Sequence, residues 1–311
     1  MTLSELKYIV AVARDRHFGR AAERCFVSQP TLSVAVKKLE QELGVTLFER
    51  GTGEVAVTAV GEQVVAQAQL ILEQAEAIKE MARQGQDQLR GPLRVGAIYT
   101  IGPYLFPRLV PQLARQTPGM PLYIEENYTA VLSEELKQGK QDAIIISLPF
   151  DEPGIETMPL YQEPFVVLLP AGHPWAKRKQ TDLRRLNEER VLLLGPGHCF
   201  RDQVVAACPG CLKPVSSEQG LQENFEGGSL ETIRYMVASG LGITVLPITA
   251  AGLHCFPEGL LAVRPFKGTT PSRTVALAWR RSFPRPQAIE ALAEGIRQAG
   301  LEGVETVGTA A

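Results

Sequence analysis

The stretch FGRAAERCFVSQPTLSVAVKKLEQELGVTLFER, Phe18 to Arg50, decides how the chain begins. Its punctuation is that of helices. Ser28 can cap, Pro30 falls in a first turn where its missing N–H costs nothing, and Gly44 follows the last turn. Between them Leu32, Val36, Leu39 and Leu43 recur at i, i+4, i+7 and i+11, one apolar stripe along a helix. Just upstream, GRAAERCFV predicts a shorter apolar-faced helix. Before a break at His17-Phe18, LSELKYIVAVARD repeats Leu3, Leu6, Ile9 and Val10 at near-helical spacing. Downstream, LFERGTGEVAVTAVGE predicts a two-stranded wing in which Phe48 and Val55/Val57 flank the turn Gly51-Thr52-Gly53.

Three short helices, the third polar at its start and basic in its middle, form a helix-turn-helix pattern whose third helix suits a major groove. Arg50 in the wing is available for a phosphate. Residues 1–50 carry 8 Lys/Arg against 6 Asp/Glu, a net of +2, while the whole chain stands at -2. Any nucleic-acid surface must therefore be local. A helical run from about Thr58 to Gln88 puts Val64, Val65, Ala68, Ile71, Leu72, Ala75 and Ile78 on one face, a pattern suited to dimerisation.

The length of 311 residues allows two or three domains, each with its own core. With 45% hydrophobic and 21% charged residues the chain reads as an ordinary globular protein. No basic-led apolar leader opens it, and no apolar run reaches about 18 residues, so a cytoplasmic protein without membrane partners is expected. Five cysteines, an odd number, argue against a disulfide framework and for thiols kept reduced.

From Gly91-Pro92 onward, strand-like LRVGAI, PLYIEEN, DAIIISL, FVVLLP, RVLLLG, GITVLP, LAVRPF and TVALAWR alternate with helix-like YLFPRLVPQLARQT, AVLSEELKQG and LETIRYMVASG. This predicts mixed α/β sheets flanked by helices, in two lobes. Ligands in such folds sit at carboxyl ends of strands, where Thr100, Thr129 and Ser229 fall. Ser229 reads first as a simple N-cap, and the two threonines read equally as caps or as site residues.

Ala21-Ala22, Ser28-Gln29-Pro30-Thr31-Leu32-Ser33, Lys38-Leu39-Glu40, Leu43-Gly44 and Leu47-Phe48-x-Arg50 together closely resemble the winged helix-turn-helix of LysR-type transcriptional regulators. SLETIRYMVASGLGITVLP resembles a signature of the same family's effector-binding domain, which is related to periplasmic binding proteins. The resemblance implies an α/β multidomain chain in three parts: a winged helix-turn-helix over residues 1–58, a linker and dimerisation helix over 59–90, and a two-lobed regulatory domain over 91–311. Lobe I would take about 91–163 and 268–297, and lobe II about 164–267. It further implies a non-enzymatic regulator that binds double-stranded promoter DNA as a homodimer or homotetramer. Ser28, Gln29, Pro30, Thr31 and Ser33 would lie at the groove, with Lys37, Lys38 and Arg50 near phosphates.

Three of the five cysteines fall in GHCFRDQVVAACPGC, Gly197 to Cys211. With VGAIYTIGPYLFP, LYIEENYT and PSRTVALAWR, this segment resembles the peroxide-sensing OxyR branch of that family. The resemblance implies that Cys199 reacts with hydrogen peroxide and Cys208 resolves the product. It also implies a pocket of Thr100, Thr129, His198, Asp202 and Arg273, with no cofactor. Peroxide oxidises thiolate, which neighbouring cations and donors stabilise. Arg201, Arg273 and His198 are candidates for that charge, with Arg201 better suited to solvent or a structural partner. Asp202 and the threonine hydroxyls would bind peroxide and help hydroxide leave as water. The product is a sulfenic acid that a second thiol traps as a disulfide. In a helical FRDQVVAAC the nine-residue separation is roughly 13.5 Å along the axis, against Cα atoms about 4.4–6.8 Å apart in a disulfide. Joining them requires the segment to unwind, a change able to shift an oligomer interface and promoter binding. RNA polymerase and a cellular thiol reductant complete the expected partners.

Cys211 departs from this pattern. It reads as a competing resolver, as a zinc ligand with His198, Cys199 and Cys208, or as an exposed bystander, the last being favoured. Cys25 and Cys255 read as structural. Rival functions are a LysR-type regulator gated by a metabolite between the lobes, a thiol peroxidase, and a zinc-binding regulator.

Overall fold

The computed structural model describes residues 1–49, 55–84, 87–212 and 226–307. The chain divides into two compact units, one built mainly from Met1–Gln88 and the other from residue 89 onward.

The first unit holds α1 (Leu3–Asp15), α2 (Phe18–Arg24) and α3 (Gln29–Leu43), strands β1 (Phe48–Glu49) and β2 (Ala56–Val57), and the long α4 (Ala59–Gln84). Local chemistry starts each helix. Thr2 and Glu5 form a reciprocal capping box on α1. His17, at the expected break, caps α2 by accepting from Gly19 N and Arg20 N at 3.0 and 3.2 Å. Ser28 Oγ accepts from Thr31 N, Pro30 sits in the first turn of α3, and Gly44 ends it at φ 70, a left-handed cap that costs glycine no Cβ clash. Leu32, Val36 and Leu39 are fully buried with Leu6, Ile9 and Val12 of α1. Leu43, expected on the same stripe, is 39% exposed, because the core ends one turn before the helix does. β1 and β2 pair antiparallel, Phe48 opposite Val57. Arg50 and the turn Gly51-Thr52-Gly53 lie outside the described residues. Along α4, Ala68 is buried and Val64, Val65, Ile71 and Leu72 pack on the head core, whereas Ile78 is exposed.

The second unit runs β3 (Leu93–Ile98), α5 (Gly102–Gln116), β4 (Leu122–Asn127), α6 (Thr129–Lys137), β5 (Ala143–Ser147), β6 (Ile155–Pro170), β7 (Val191–Leu194), α7 (Cys199–Ala207), β8 (Glu226–Gly227), α8 (Leu230–Ala238), β9 (Ile243–Pro247), β10 (Leu261–Pro265), β11 (Ser272–Arg280), α9 (Pro286–Arg297) and β12 (Glu305–Thr306). The strand order is β4-β3-β5-β11-β6-β9-β7-β8, with β10 and β12 also on β6. β6 is the hinge of this topology. Its first part pairs with β11, Pro164 opposite Ser272, and its second part pairs with β9 and β10 from Phe165 onward. One core lies around Val95, Ile144–Ile146 and Val275–Ala278, and another around Phe165–Leu169, Leu192–Leu194, Phe200 and Val204. Every strand expected from the sequence forms, but FVVLLP is only the end of a 16-residue strand. Pro107 and Pro111 are tolerated inside α5 because both lie on its exposed face. Among the described residues no helix is long and apolar enough to cross a membrane.

Candidate functional site

Cys199 is the first residue of α7, directly after β7 and the turn at Gly197, and is half-buried. It lines a small cleft with Thr100, which follows β3, Thr129, which opens α6, and His198, together with Tyr99, Asn127 and Tyr128. The accessible space is about 10 Å³. Neither threonine spends its hydroxyl on a helix: Ile101 occupies the N-cap of α5, and Thr129 is already inside α6. Ser229, by contrast, is an N-cap, its Oγ accepting from Thr232 N at 3.2 Å.

Two buried atoms of this cleft, Thr129 Oγ1 and His198 Nε2, have no hydrogen-bond partner among the described residues. Buried polar groups are seldom left so, and their coincidence marks a place for a small polar molecule. The imidazole packs against Tyr128 and Tyr99 at ring distances of 4.7 and 5.9 Å. Burial pushes His198 below the ordinary imidazole value, opposed by its hydrogen bond to the Gly228 backbone. With the other ring nitrogen donating to Gly228, Nε2 is a bare acceptor. Burial disfavours the charged form of His198, which weighs against its expected role as a stabilising cation.

Arg273 on β11 reaches the cleft through Thr100. Its Nη1 donates to Thr100 Oγ1 at 2.7 Å, its Nη2 to Thr100 O at 2.9 Å, and its Nε to Glu163 Oε2 at 2.7 Å. Arg273 and Glu163 side chains are both fully buried. The guanidinium also covers the Phe200 ring at 5.4 Å, and Thr249 donates to Glu163 from both N and Oγ1. A hydroxyl that accepts from Arg273 keeps its own proton to donate elsewhere. Asp202 is exposed on the first turn of α7 and is not among the residues lining the cleft. Arg201 donates to Leu194 O at 2.7 Å, a structural partner as expected, and Gln203 donates to Ser147 Oγ at 2.8 Å.

Cys208 caps the far end of α7, 4% exposed, and its thiol donates to Asn187 Oδ1 at 3.1 Å. Cys211 is 8% exposed in the same apolar cluster, so it is not the exposed bystander that the sequence favours. Burial pushes its thiol up, and a hydrogen bond to Cys208 adds to the shift. Cys25 packs on the head core, as a structural thiol does, whereas Cys255 is exposed in a turn and has no packing role. Among the described residues no three metal-ligating side chains converge. A larger cavity of about 290 Å³ lies at the amino ends of β7 and β9, lined by His173, Glu189, Arg190 and Gly240–Ile243, away from these cysteines.

In the head, Gln29, Pro30, Thr31, Lys37 and Lys38 are exposed on α3 and Ser33 is half-buried, while Ser28 is held in its cap. Lys38 also lies 3.5 Å from Glu5. Sequence reasoning missed Glu163, Tyr99 and Tyr128. A lone acid before the apolar run FVVLLP was the available signal for Glu163, and the tyrosines flanking Thr100 and Thr129 for the others.

A helix-turn-helix head and a two-lobed α/β sensor define a regulator class, and family comparison agrees. Residues 3–62 match the bacterial regulatory helix-turn-helix protein, lysR family, and residues 86–300 match the LysR substrate binding domain. The chain belongs to the LysR family, and within it to the OxyR branch. It is 40% identical to the DNA-binding transcriptional dual regulator OxyR of Escherichia coli K12, over 96% of this chain and 95% of that one. A hydrogen peroxide-inducible genes activator of Dickeya chrysanthemi is 39% identical with the same coverage. Among solved structures, a full-length cysteine-to-aspartate OxyR variant from Pseudomonas aeruginosa is 58% identical, with TM-score 0.79 over 97% of this chain and 96% of that one. A hydrogen-peroxide-bound cysteine mutant of OxyR from Corynebacterium glutamicum is 36% identical, with TM-score 0.63 over 96% and 92%.

Proposed function

We propose that this chain is a hydrogen-peroxide-sensing transcriptional regulator in which Cys199 reacts and Cys208 resolves. The observation that carries the reading is the cleft beside Cys199. Its space of about 10 Å³ is at the lower limit for one water-sized molecule, so a ligand there must be as small as a peroxide. Organic effectors occupy pockets of about 300–1,000 Å³. The names of the relatives in the OxyR branch support the same chemistry.

The first residue of a helix is a favourable place for an anion, since the N-terminal N–H groups point at it. His198 Nε2 takes the proton of the Cys199 thiol, and the sulfur attacks one peroxide oxygen. The O–O bond breaks, the Thr100 and Thr129 hydroxyls hold the oxygens, and the leaving hydroxide recovers the proton as water. Cys199 sulfenic acid then condenses with the Cys208 thiol, releasing a second water. Because all of α7 separates the two sulfurs, the bond requires α7 to unwind. That breaks the Arg201–Leu194 and Gln203–Ser147 ties and uncovers Phe200 and Val204. The refolded sensor, residues 91–311, would act through the linker, 59–90, on how the heads, 1–58, of a homodimer or homotetramer sit on promoter DNA. Gln29, Thr31 and Ser33 would read the groove, Lys37 and Lys38 would meet phosphates, and RNA polymerase and a thiol reductant would act downstream.

The test is a footprint at matched salt, with and without peroxide. Wild type should protect a longer or differently phased site once oxidised, and Cys199→Ser should show no change. A peroxide-induced shift that survives Cys199→Ser contradicts the reading. A small metabolite that shifts the footprint of Cys199→Ser as fully as that of wild type points instead to the 290 Å³ cavity.

A further inference from the structure

We propose that Cys211 is an exchanging thiol: it attacks the Cys199–Cys208 disulfide at the sulfur of Cys208, moves the bond to Cys208–Cys211, and returns Cys199 to the thiol state. The inference rests on the assignment of Cys199 and Cys208 made above and adds a third member to it.

Geometry separates the two possible bonds of Cys208. Cys211 N donates to Cys208 O at 3.0 Å, closing a turn that continues as a 3-10 segment, Pro209–Leu212. Residues three apart in such a turn eclipse one another. Their Cα atoms lie within about 7 Å, a range that overlaps the roughly 4.4–6.8 Å of disulfides. The two thiols are hydrogen-bonded to each other in one apolar cluster, and Cys208 donates onward to Asn187 Oδ1. Gly210 keeps this turn tight: a Cβ there would lie 2.0 Å from Asn187 Oδ1. A Cys208–Cys211 bond is thus compatible with a helical α7. A Cys199–Cys208 bond is not, because the whole of Cys199–Ala207 stands between the two sulfurs.

Exchange is therefore downhill in structure. Passing the bond to Cys211 lets α7 rewind, buries Phe200 and Val204 again, and restores the ties of Arg201 and Gln203 to Leu194 and Ser147. Order is also built in. In the reduced fold Cys211 is buried and burial pushes its thiol up, so it does not compete with Cys199 for peroxide. Unwinding of α7 releases it.

The step balances without a further reagent. The Cys211 thiolate forms the new S–S bond at Cys208 as the Cys199–Cys208 bond breaks, and the electron pair leaves on Cys199. That sulfur takes up the proton Cys211 gave away. One peroxide has then been consumed, yet Cys199 is reduced and α7 is folded. The activated state limits its own lifetime, and a second peroxide leaves Cys199 as a sulfenic acid with its resolver already occupied.

Full-length wild type, Cys211→Ser and Cys199→Ser, each given one equivalent of peroxide and quenched by acid and alkylation over time, test this by peptide mapping. Cleavage after Arg201 puts Cys199 on a different peptide from Cys208 and Cys211, so the two disulfides differ in mass. In wild type the cross-linked peptides should rise and then fall about tenfold while the internal Cys208–Cys211 bond grows and Cys199 becomes alkylatable again. Cys211→Ser should keep the cross-link. A wild-type cross-link that persists with Cys211 alkylated throughout overturns the inference and leaves the proposed function standing. A Cys208–Cys211 bond forming equally fast in Cys199→Ser also overturns it, since no exchange is then needed. Neither sulfenic acid nor cross-link at Cys199 in wild type and Cys211→Ser removes the proposed function, and the inference falls with it.

Discussion

At its first residue α7 carries Cys199 beside a cleft where Thr129 and His198 hold buried, unpartnered polar atoms. At its other end it delivers Cys208 into an apolar core that leaves 4% of the residue exposed. One end is built to admit a small polar molecule and the other to exclude it. On the proposed function the same residue type takes two roles, and nine residues of helix would keep those roles apart until oxidation joins them. The polar end depends on long-range structure, because its threonines come from two other strand ends and its arginine from β11. The apolar end is local, set by the packing of α7 and the turn that follows.

The comparison can be broken most forcefully at the buried ion pair behind the cleft. Glu163→Ala strands the Arg273 charge in a fully buried place, and removing one partner of such a pair costs about 3–5 kcal/mol. Urea unfolding should show that loss, and a variant as stable as wild type would mean Arg273 finds another counter-charge. Thr129→Val probes the cleft itself. Its hydroxyl makes no hydrogen bond among the described residues, so stability should stay within about 1 kcal/mol. Sulfenic acid formation at Cys199, followed by stopped flow, should slow by about a hundredfold. An unchanged rate would remove Thr129 from the site.

A smaller effect sharpens the account of His198. Its folded-state value lies below the ordinary one, so between the two the unfolded chain binds the extra proton. Stability should therefore be fully present above about pH 6.5 and fall as pH drops below it, levelling off under the folded value. Thermal melts of wild type against His198→Gln from pH 8 to about pH 5 read this directly. The variant should lack that part of the slope, and parallel curves would mean that burial does not shift the imidazole in the fold.

Much of this was legible in the residues because the signals are local. Ser28, Pro30 and Gly44 bracket α3, and the Leu32–Val36–Leu39 stripe faces inward. The first half of β6 was not legible, since Pro159 and Pro164 read against a strand. Pro159 sits opposite Ala276 at a bulge, and Pro164 opposite Ser272 at the start of β11. The apolar spacing Ala288, Ile289, Leu292, Ala293 and Ile296 of α9 was available but was passed over. The Glu163–Arg273–Thr100 relay joins positions 110 and 173 apart, for which no local pattern exists. Cys211 was misplaced for a different reason: after a Pro-Gly turn it looks exposed, yet a thiol packs as a small apolar group when a core lies beside it.

The central claim is that α7 must unwind for Cys199 and Cys208 to meet. Amide hydrogen exchange over residues 199–208, in Cys211→Ser protein where the bond cannot pass onward, tests it most directly. On peroxide treatment the helical amides should lose their protection, and in Cys208→Ser, which stops at the sulfenic acid, they should keep it. Protection that survives in a sample whose Cys199–Cys208 bond is verified by mass would contradict the account.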